Sequence, residues 1–312
     1  MKTRVWCAVA FVSVAVGGCG AGGGGGDSAS ASSGYSGKTT PAVVDSQSAK
    51  PLSEGSVGAS NRNPASAVGV VSSSAGGRPL NLIVADVLTK SVMRVDLSKP
   101  SSLPGAQADE TLQCGGGGSY TIHISINDVT EAFDGSLTFE QCKEEGSVFD
   151  GSLGFSGLYD INLDTATSMH LAFNDLNVTA DGESFTLTGT VDATPMGANT
   201  VDTLMNLVSK NNTTGEVEKL EDFEVLITGN FQYVEETLTG RYFHPTFGYV
   251  DVSTLAPLKI YGADIWPTEG QLLLKGDHNS QCKLTVLSNT QYMLEVDEDG
   301  DGTFEFAQTE NW

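Results

Sequence analysis

Basic residues are scarce: 16 Lys and Arg stand against 39 Asp and Glu in 312 residues, a formal charge of -23. Such a field repels phosphate, which excludes nucleic-acid binding and adsorption to an anionic lipid surface. Histidine is rarer still, and its four positions (His123, His170, His244 and His278) are scattered, none of them in a His-Glu-x-x-His pair. Also missing are a Gly-x-Ser-x-Gly elbow, a Gly-x-x-x-x-Gly-Lys-Ser/Thr loop and any Cys-x-x-Cys. Hydrolase, nucleotide and zinc-ribbon chemistries therefore lack their parts, and the expectation is a protein that is not an enzyme. The apolar run Val5 to Val16 is too short for a permanent bilayer-spanning helix.

What is present begins with an address. Met1-Lys2-Thr3-Arg4 is followed by that apolar run and then by small residues, the order of a secretory signal. The ending Val16-Gly17-Gly18-Cys19 resembles the lipobox of bacterial lipoproteins, with Gly17 where Ala or Ser is more usual. The resemblance covers residues 1–19 and implies that Cys19 becomes the acylated first residue of the mature chain, held to a membrane through its lipid. Gly20 stands where those lipoproteins carry an inner-membrane retention aspartate, so the resemblance implies a cell-envelope protein at the outer membrane, its leaflet open. In residues 20–78, 39 of 59 positions are Gly, Ser, Ala or Pro, a composition that predicts a disordered tether.

Residues 79–312 read as a single acidic β-rich domain. Leu80, Ile83, Val84, Val87, Leu88, Val92 and Val95 recur at three- and four-residue spacing, predicting an amphipathic helix over residues 79–97, although the abundance of Val keeps a strand open. Beyond it come short alternating runs such as Tyr120 to Asn127, with Ile122, Ile124 and Ile126 on one side and Thr121, His123 and Ser125 on the other. Asp134-Gly135, Asp150-Gly151 and Asp181-Gly182 are hairpin signals between such runs. A sixteen-residue echo, Phe133-Asp134-Gly135-Ser136-Leu137-Thr138-Phe139 and Phe149-Asp150-Gly151-Ser152-Leu153-Gly154-Phe155, reads as neighbouring up-and-down hairpins. The expected fold is mainly β: an antiparallel, hairpin-rich, curved or partly closed sheet with one N-terminal amphipathic helix packed on it.

Of five cysteines, Cys7 leaves with the signal and Cys19 carries lipid. In an oxidising envelope Cys114 and Cys142, which bracket two strands, are the favoured disulfide, leaving Cys282 as a buried thiol. Asp297-Glu298-Asp299-Gly300-Asp301-Gly302-Thr303-Phe304-Glu305 places carboxylates at loop positions one, three, five and nine around a Gly turn, hard oxygens that suit calcium. An acidic hairpin turn is the plainer alternative, since Asp and Gly are turn residues anyway. The loop is similar to the Asp-x-Asp-x-Asp-Gly-x-x-Asp loops of integrin-type propeller blades, a likeness of nine residues that does not bring the propeller with it. It implies side-chain ligands from Asp297, Asp299, Asp301 and Glu305 and a backbone carbonyl from Thr303. The acid pairs Glu144-Glu145 and Glu235-Glu236 read as solubilising charge, and Tyr242 to Tyr249 as an aromatic knot packing the sheet's end.

Two functions follow as expectations. The first is a lipid-anchored, non-enzymatic structural or interaction module stabilised by calcium and serving an envelope protein. The second is a carrier of an apolar ligand in a groove between helix and sheet, lined by Ile83, Val87 and Ile124.

Overall fold

The computed structural model describes residues 34–61, 106–127, 129–144, 147–160, 165–180, 183–197, 199–229, 232–261, 264 and 266–312. The described chain opens with a helix, α1 (Ala49–Asn61), and continues in strands β1 (Ala106–Gln113), β2 (Ser119–Asn127), β3 (Ala132–Glu144), β4 (Ser147–Asp160) and β5 (Thr165–Ala180). Then follow β6 (Glu183–Gly197), β7 (Thr200–Asn211), β8 (Val217–Gly229), β9 (Tyr233–His244) and β10 (Gly248–Tyr261). The last are β11 (Glu269–Lys275), β12 (Gln281–Ser288), β13 (Gln291–Asp297) and β14 (Phe306–Asn311). Each strand pairs with the next in sequence, so the described residues form one fourteen-stranded antiparallel meander with β1 and β14 at its edges.

Alternation explains the strands. In β2 the buried side chains Tyr120, Ile122 and Ile124 take every second position, and the intervening residues face solvent or are only partly covered. One continuous core collects such inward residues from β2 through β13. Laid flat, fourteen strands would be about 60 Å wide. The inward residues therefore form one layer that runs from strand to strand along the sheet.

A line of irregularities crosses the sheet. Five of the six strand pairs from β3 to β9 slip register at one level: between Phe139 and Cys142, Asp150 and Ser152, Phe173 and Leu176, Met205 and Leu207, and Glu221 and Glu224. Positive φ angles mark the same line at Gln141, Gly151, Asp175, Gly189, Asp222 and Gly240. This is a seam of β-bulges, each adding twist and bend where it falls. At Gly189 φ is +126°, and a Cβ there would collide with the Asn206 carbonyl of the next strand. Polar side chains brace the seam from outside: Thr188 Oγ1 donates to Asp175 Oδ1 at 2.7 Å, and the Asp222 N–H to Asn206 Oδ1 at 2.9 Å.

Several expectations are corrected. Asp134-Gly135 and Asp150-Gly151 are not turns but lie inside β3 and β4, the second at the bulge seam. Asp181-Gly182 lies outside the described residues; the flanking Ala180 of β5 and Glu183 of β6 pair. The two echo segments are partners in one ladder, with Gly135 opposite Phe155 and Leu137 opposite Leu153. β7 follows no clean alternation of buried and exposed positions.

The larger correction concerns the tether. The segment expected as a helix, 79–97, lies outside the described residues; α1 falls within the stretch read as tether. Its buried positions are Ala49, Leu52, Ser53, Ser56, Val57 and Ala59, a helical stripe built largely from small and hydroxylated residues. Burying serine is cheap here because Ser56 Oγ donates to the Leu52 carbonyl at 2.7 Å within the helix. Asp45 Oδ1 accepts the N–H groups of Gln47 and Ser48 ahead of the first turn, and Pro51 sits in that turn, where its missing N–H costs nothing. The helix packs on β9, β12 and β13. Lys50 Nζ reaches Glu310 of β14 at 2.7 Å, and the Tyr292 hydroxyl donates to Glu54 at 2.7 Å.

Candidate metal centre

The acidic loop lies between β13 and β14, at one corner of the sheet. Its geometry comes from hydrogen bonds that turn the chain back on its own carboxylates. Asp297 Oδ1 accepts the Gly300 N–H at 2.8 Å, and Oδ2 accepts the Gly302 N–H at 2.9 Å and the Gln281 side-chain amide at 2.8 Å. The Asp301 N–H donates to Asp299 Oδ1 at 3.1 Å, and the Thr303 N–H to Asp301 Oδ1 at 2.7 Å. Gly300 has φ +74°, and a side chain there would strike the His278 carbonyl, so the loop sits tightly on the turn at Asp277–Asn279.

This winding brings Asp297, Asp299, Asp301 and Glu305 together, with one oxygen of each within 4.8 Å of the others. Asp297 is fully buried; the other three are exposed, so the cluster opens to solvent. Burial alone would raise the Asp297 carboxyl's pKa, but the Gln281 amide and the Gly302 and Gly300 N–H groups outweigh it and hold the carboxyl below its ordinary range. Among the described residues no ion pair offsets the four. Clustered hard oxygens without a counter-charge fit a hard divalent cation such as calcium. Thr303 is exposed at the loop's rim.

The loop is also where the N-terminal segment is fastened. Residues 40–46 run across the adjoining strand ends: the Ala42 N–H donates to the Tyr249 carbonyl at 2.8 Å, the Asp277 N–H to the Ala42 carbonyl at 2.6 Å and the Val44 N–H to Ser280 Oγ at 2.9 Å. The Ser46 N–H then meets Glu298 Oε1 at 2.9 Å. Nothing in the sequence signals these contacts, because they join residues more than 200 positions apart.

Other candidates fall as follows. Cys19 lies outside the described residues. Cys114 and Cys142 form a disulfide, their Cα atoms 5.5 Å apart. Cys282 is a free, fully buried thiol 3.7 Å from Ser53 Oγ, and burial pushes its pKa up to about 12, the state of an inert core residue. Tyr242 and Phe243 are buried, and Tyr35 packs edge-on to Phe243 at 5.6 Å. Glu235 pairs with Lys259 at 3.6 Å on the outer side, whereas Glu236 is turned into the core with 1% of its surface exposed, a correction to its reading as surface charge. His123 and His170 lie on the solvent side of their strands, each bonded through Nδ1 to a carboxylate of the neighbouring strand: Asp109 at 2.6 Å and Asp192 at 2.7 Å. Cross-strand partners of this kind depend on register and are invisible in the sequence.

Comparison with known proteins returns no matching family model, no similar curated protein and no similar solved structure.

Proposed function

We propose that the protein is a lipid-anchored envelope module, non-enzymatic, in which a calcium ion at Asp297, Asp299, Asp301 and Glu305 stiffens the corner where the N-terminal segment meets the last two strands. The observation that carries the reading is the convergence of four carboxylates in a loop that also holds Ser46 through Glu298. The anchor rests on the lipobox resemblance at Val16-Gly17-Gly18-Cys19. Since the folded part already includes residues from Gly34 onward, only residues 20–33 separate it from Cys19, and they span at most about 50 Å fully extended. A module so placed presents its acidic sheet to an envelope partner close to the membrane rather than at a distance.

The test is thermal unfolding of metal-stripped mature protein with and without calcium. At ten times the dissociation constant, calcium should add about 1.4 kcal/mol, which for a domain of this size raises Tm by roughly 3–6 °C. The Asp299→Asn, Asp301→Asn double variant should lose the rise. An unchanged Tm in millimolar calcium refutes the calcium reading, and recovery of unacylated protein from membranes refutes the anchor.

The apolar-carrier reading gains no specific support. Ile83 and Val87 lie outside the described residues, and Ile124 is packed in the core with 3% exposure.

A further inference from the structure

A second set of ligand-type side chains converges near the opposite edge of the sheet, where β1 turns into β2. Cys114 Sγ, Cys142 Sγ and one carboxylate oxygen of Glu144 all lie within 4.8 Å of one another. The two sulfurs are joined as a disulfide, but other bonds also hold these residues together. The Cys114 N–H donates to the Gly118 carbonyl at 3.1 Å, the Gly116 N–H to the Lys143 carbonyl at 2.9 Å and the Lys143 N–H to the Gly117 carbonyl at 2.8 Å. Glu144 is drawn to the same place, because its Oε1 accepts the Gly115 N–H at 2.8 Å. Gly118 has φ +78°, and a Cβ there would run into the Gln141 carbonyl, so the loop lies against β3 as closely as only glycine allows. Cys142 is fully buried and Cys114 nearly so, whereas Gly115 to Gly118 are exposed and Glu144 is half-buried. The three ligand atoms therefore sit under a thin glycine loop with water on its far side.

We propose that Cys114, Cys142 and Glu144 form a redox-gated zinc site, closed by the disulfide when oxidised and able to take up one ion when reduced. Two thiolates and one carboxylate, with water in the fourth position, are a donor set that suits zinc. A dithiol reductant opens the site: two electrons pass to the S–S bond, which breaks as each sulfur takes a proton, and the reductant is left as its own disulfide. Zinc then displaces both thiol protons, because the thiolate is the ligating form. Tetrahedral zinc with Zn–S bonds of about 2.3 Å holds its two sulfurs about 3.8 Å apart. With the Cα atoms 5.5 Å apart, rotation of the two side chains supplies that opening while the backbone bonds around Gly115 to Gly118 keep the residues apposed. No Cys-x-x-Cys announces the site, since the cysteines are 28 residues apart and meet through the pairing of β2 with β3. It shares no residue with the loop at Asp297, so this inference does not depend on calcium binding.

The experiment titrates zinc into the untagged mature protein, oxidised and after phosphine reduction, against a chromophoric chelator in excess calcium. Cobalt(II) absorption reads the ligand type. The reduced chain should take up one zinc ion more than the oxidised chain, and its cobalt complex should show thiolate charge-transfer bands with the intense visible bands of a tetrahedral site. The Cys114→Ser, Cys142→Ser double variant should show neither. Glu144→Gln should weaken zinc roughly tenfold or more while keeping the charge-transfer bands, and Cys282→Ala should change nothing. Far-UV circular dichroism of each sample shows whether the reduced chain stays folded, and a β signal lost on reduction should return with zinc. Equal uptake by the two redox forms, a cobalt complex without thiolate bands, undiminished affinity in Glu144→Gln, or unfolding on reduction that zinc does not reverse overturns the proposal.

Discussion

Whether residues 34–61 are part of the fold can be decided by replacing one side chain, Leu52→Ala. Leu52 is fully buried on the inward stripe of α1, facing β9, β12 and β13. Removing three carbons forfeits about 2.4 kcal/mol of transfer free energy at about 0.8 per methylene. The space left cannot close completely, because Ala49, Ser53, Ser56 and Val57 around it are already small or fully packed. With the cavity term the loss is about 3–4 kcal/mol, offset by only a few tenths from alanine's better helix propensity. Urea unfolding followed by tryptophan fluorescence measures it as a fall in midpoint at unchanged slope. Val43→Ala is the control: Val43 is 48% exposed, and its truncation should cost under about 0.5 kcal/mol. A Leu52→Ala midpoint within error of the parent would mean that the segment does not pack on the sheet, and the argument for α1 as a core element would fail.

Two further outcomes are expected. Gly189→Ala places a Cβ against the Asn206 carbonyl at a φ that L-residues resist, so it should cost about 2–3 kcal/mol by the same urea assay, whereas a neutral result would mean that the bulge at this position does not require glycine. Burial raises the pKa of the Cys282 thiol to about 12 and that of the Tyr35 phenol to about 12; Tyr292 is also raised, by burial and then by its bond to Glu54. All three keep their protons longer when folded, so the stability they contribute is intact below the unfolded pKa values of about 9 to 10 and is lost as pH rises toward 12. Unfolding midpoints should therefore be insensitive to these groups up to about pH 8 and fall above pH 9, with a shallower fall in Cys282→Ala. An identical alkaline slope in that variant would remove Cys282 from the account.

The sequence by itself determined the mainly antiparallel β character, because period-two alternation of Ile, Leu, Val and Phe can bury one face only as strands. It also placed the acidic loop, since Asp-Glu-Asp-Gly-Asp-Gly is local and its carboxylates converge through hydrogen bonds no more than seven residues apart. Only the tertiary structure decided the rest. Asp150-Gly151 has the composition of a turn, yet it lies within a strand because the same positive φ that serves a hairpin also serves a bulge. α1 was hidden by its composition: a stripe of Ala and Ser carries little hydrophobic signal, and it becomes core only where β9, β12 and β13 offer a surface close enough for small side chains to fill. The cross-strand bond of His170 to Asp192 and the clasp of Ser46 on Glu298 join residues far apart in the chain. Local patterning can say that a strand exists and which way its side chains alternate; which residue stands opposite which is set by register, and register is a property of the whole sheet.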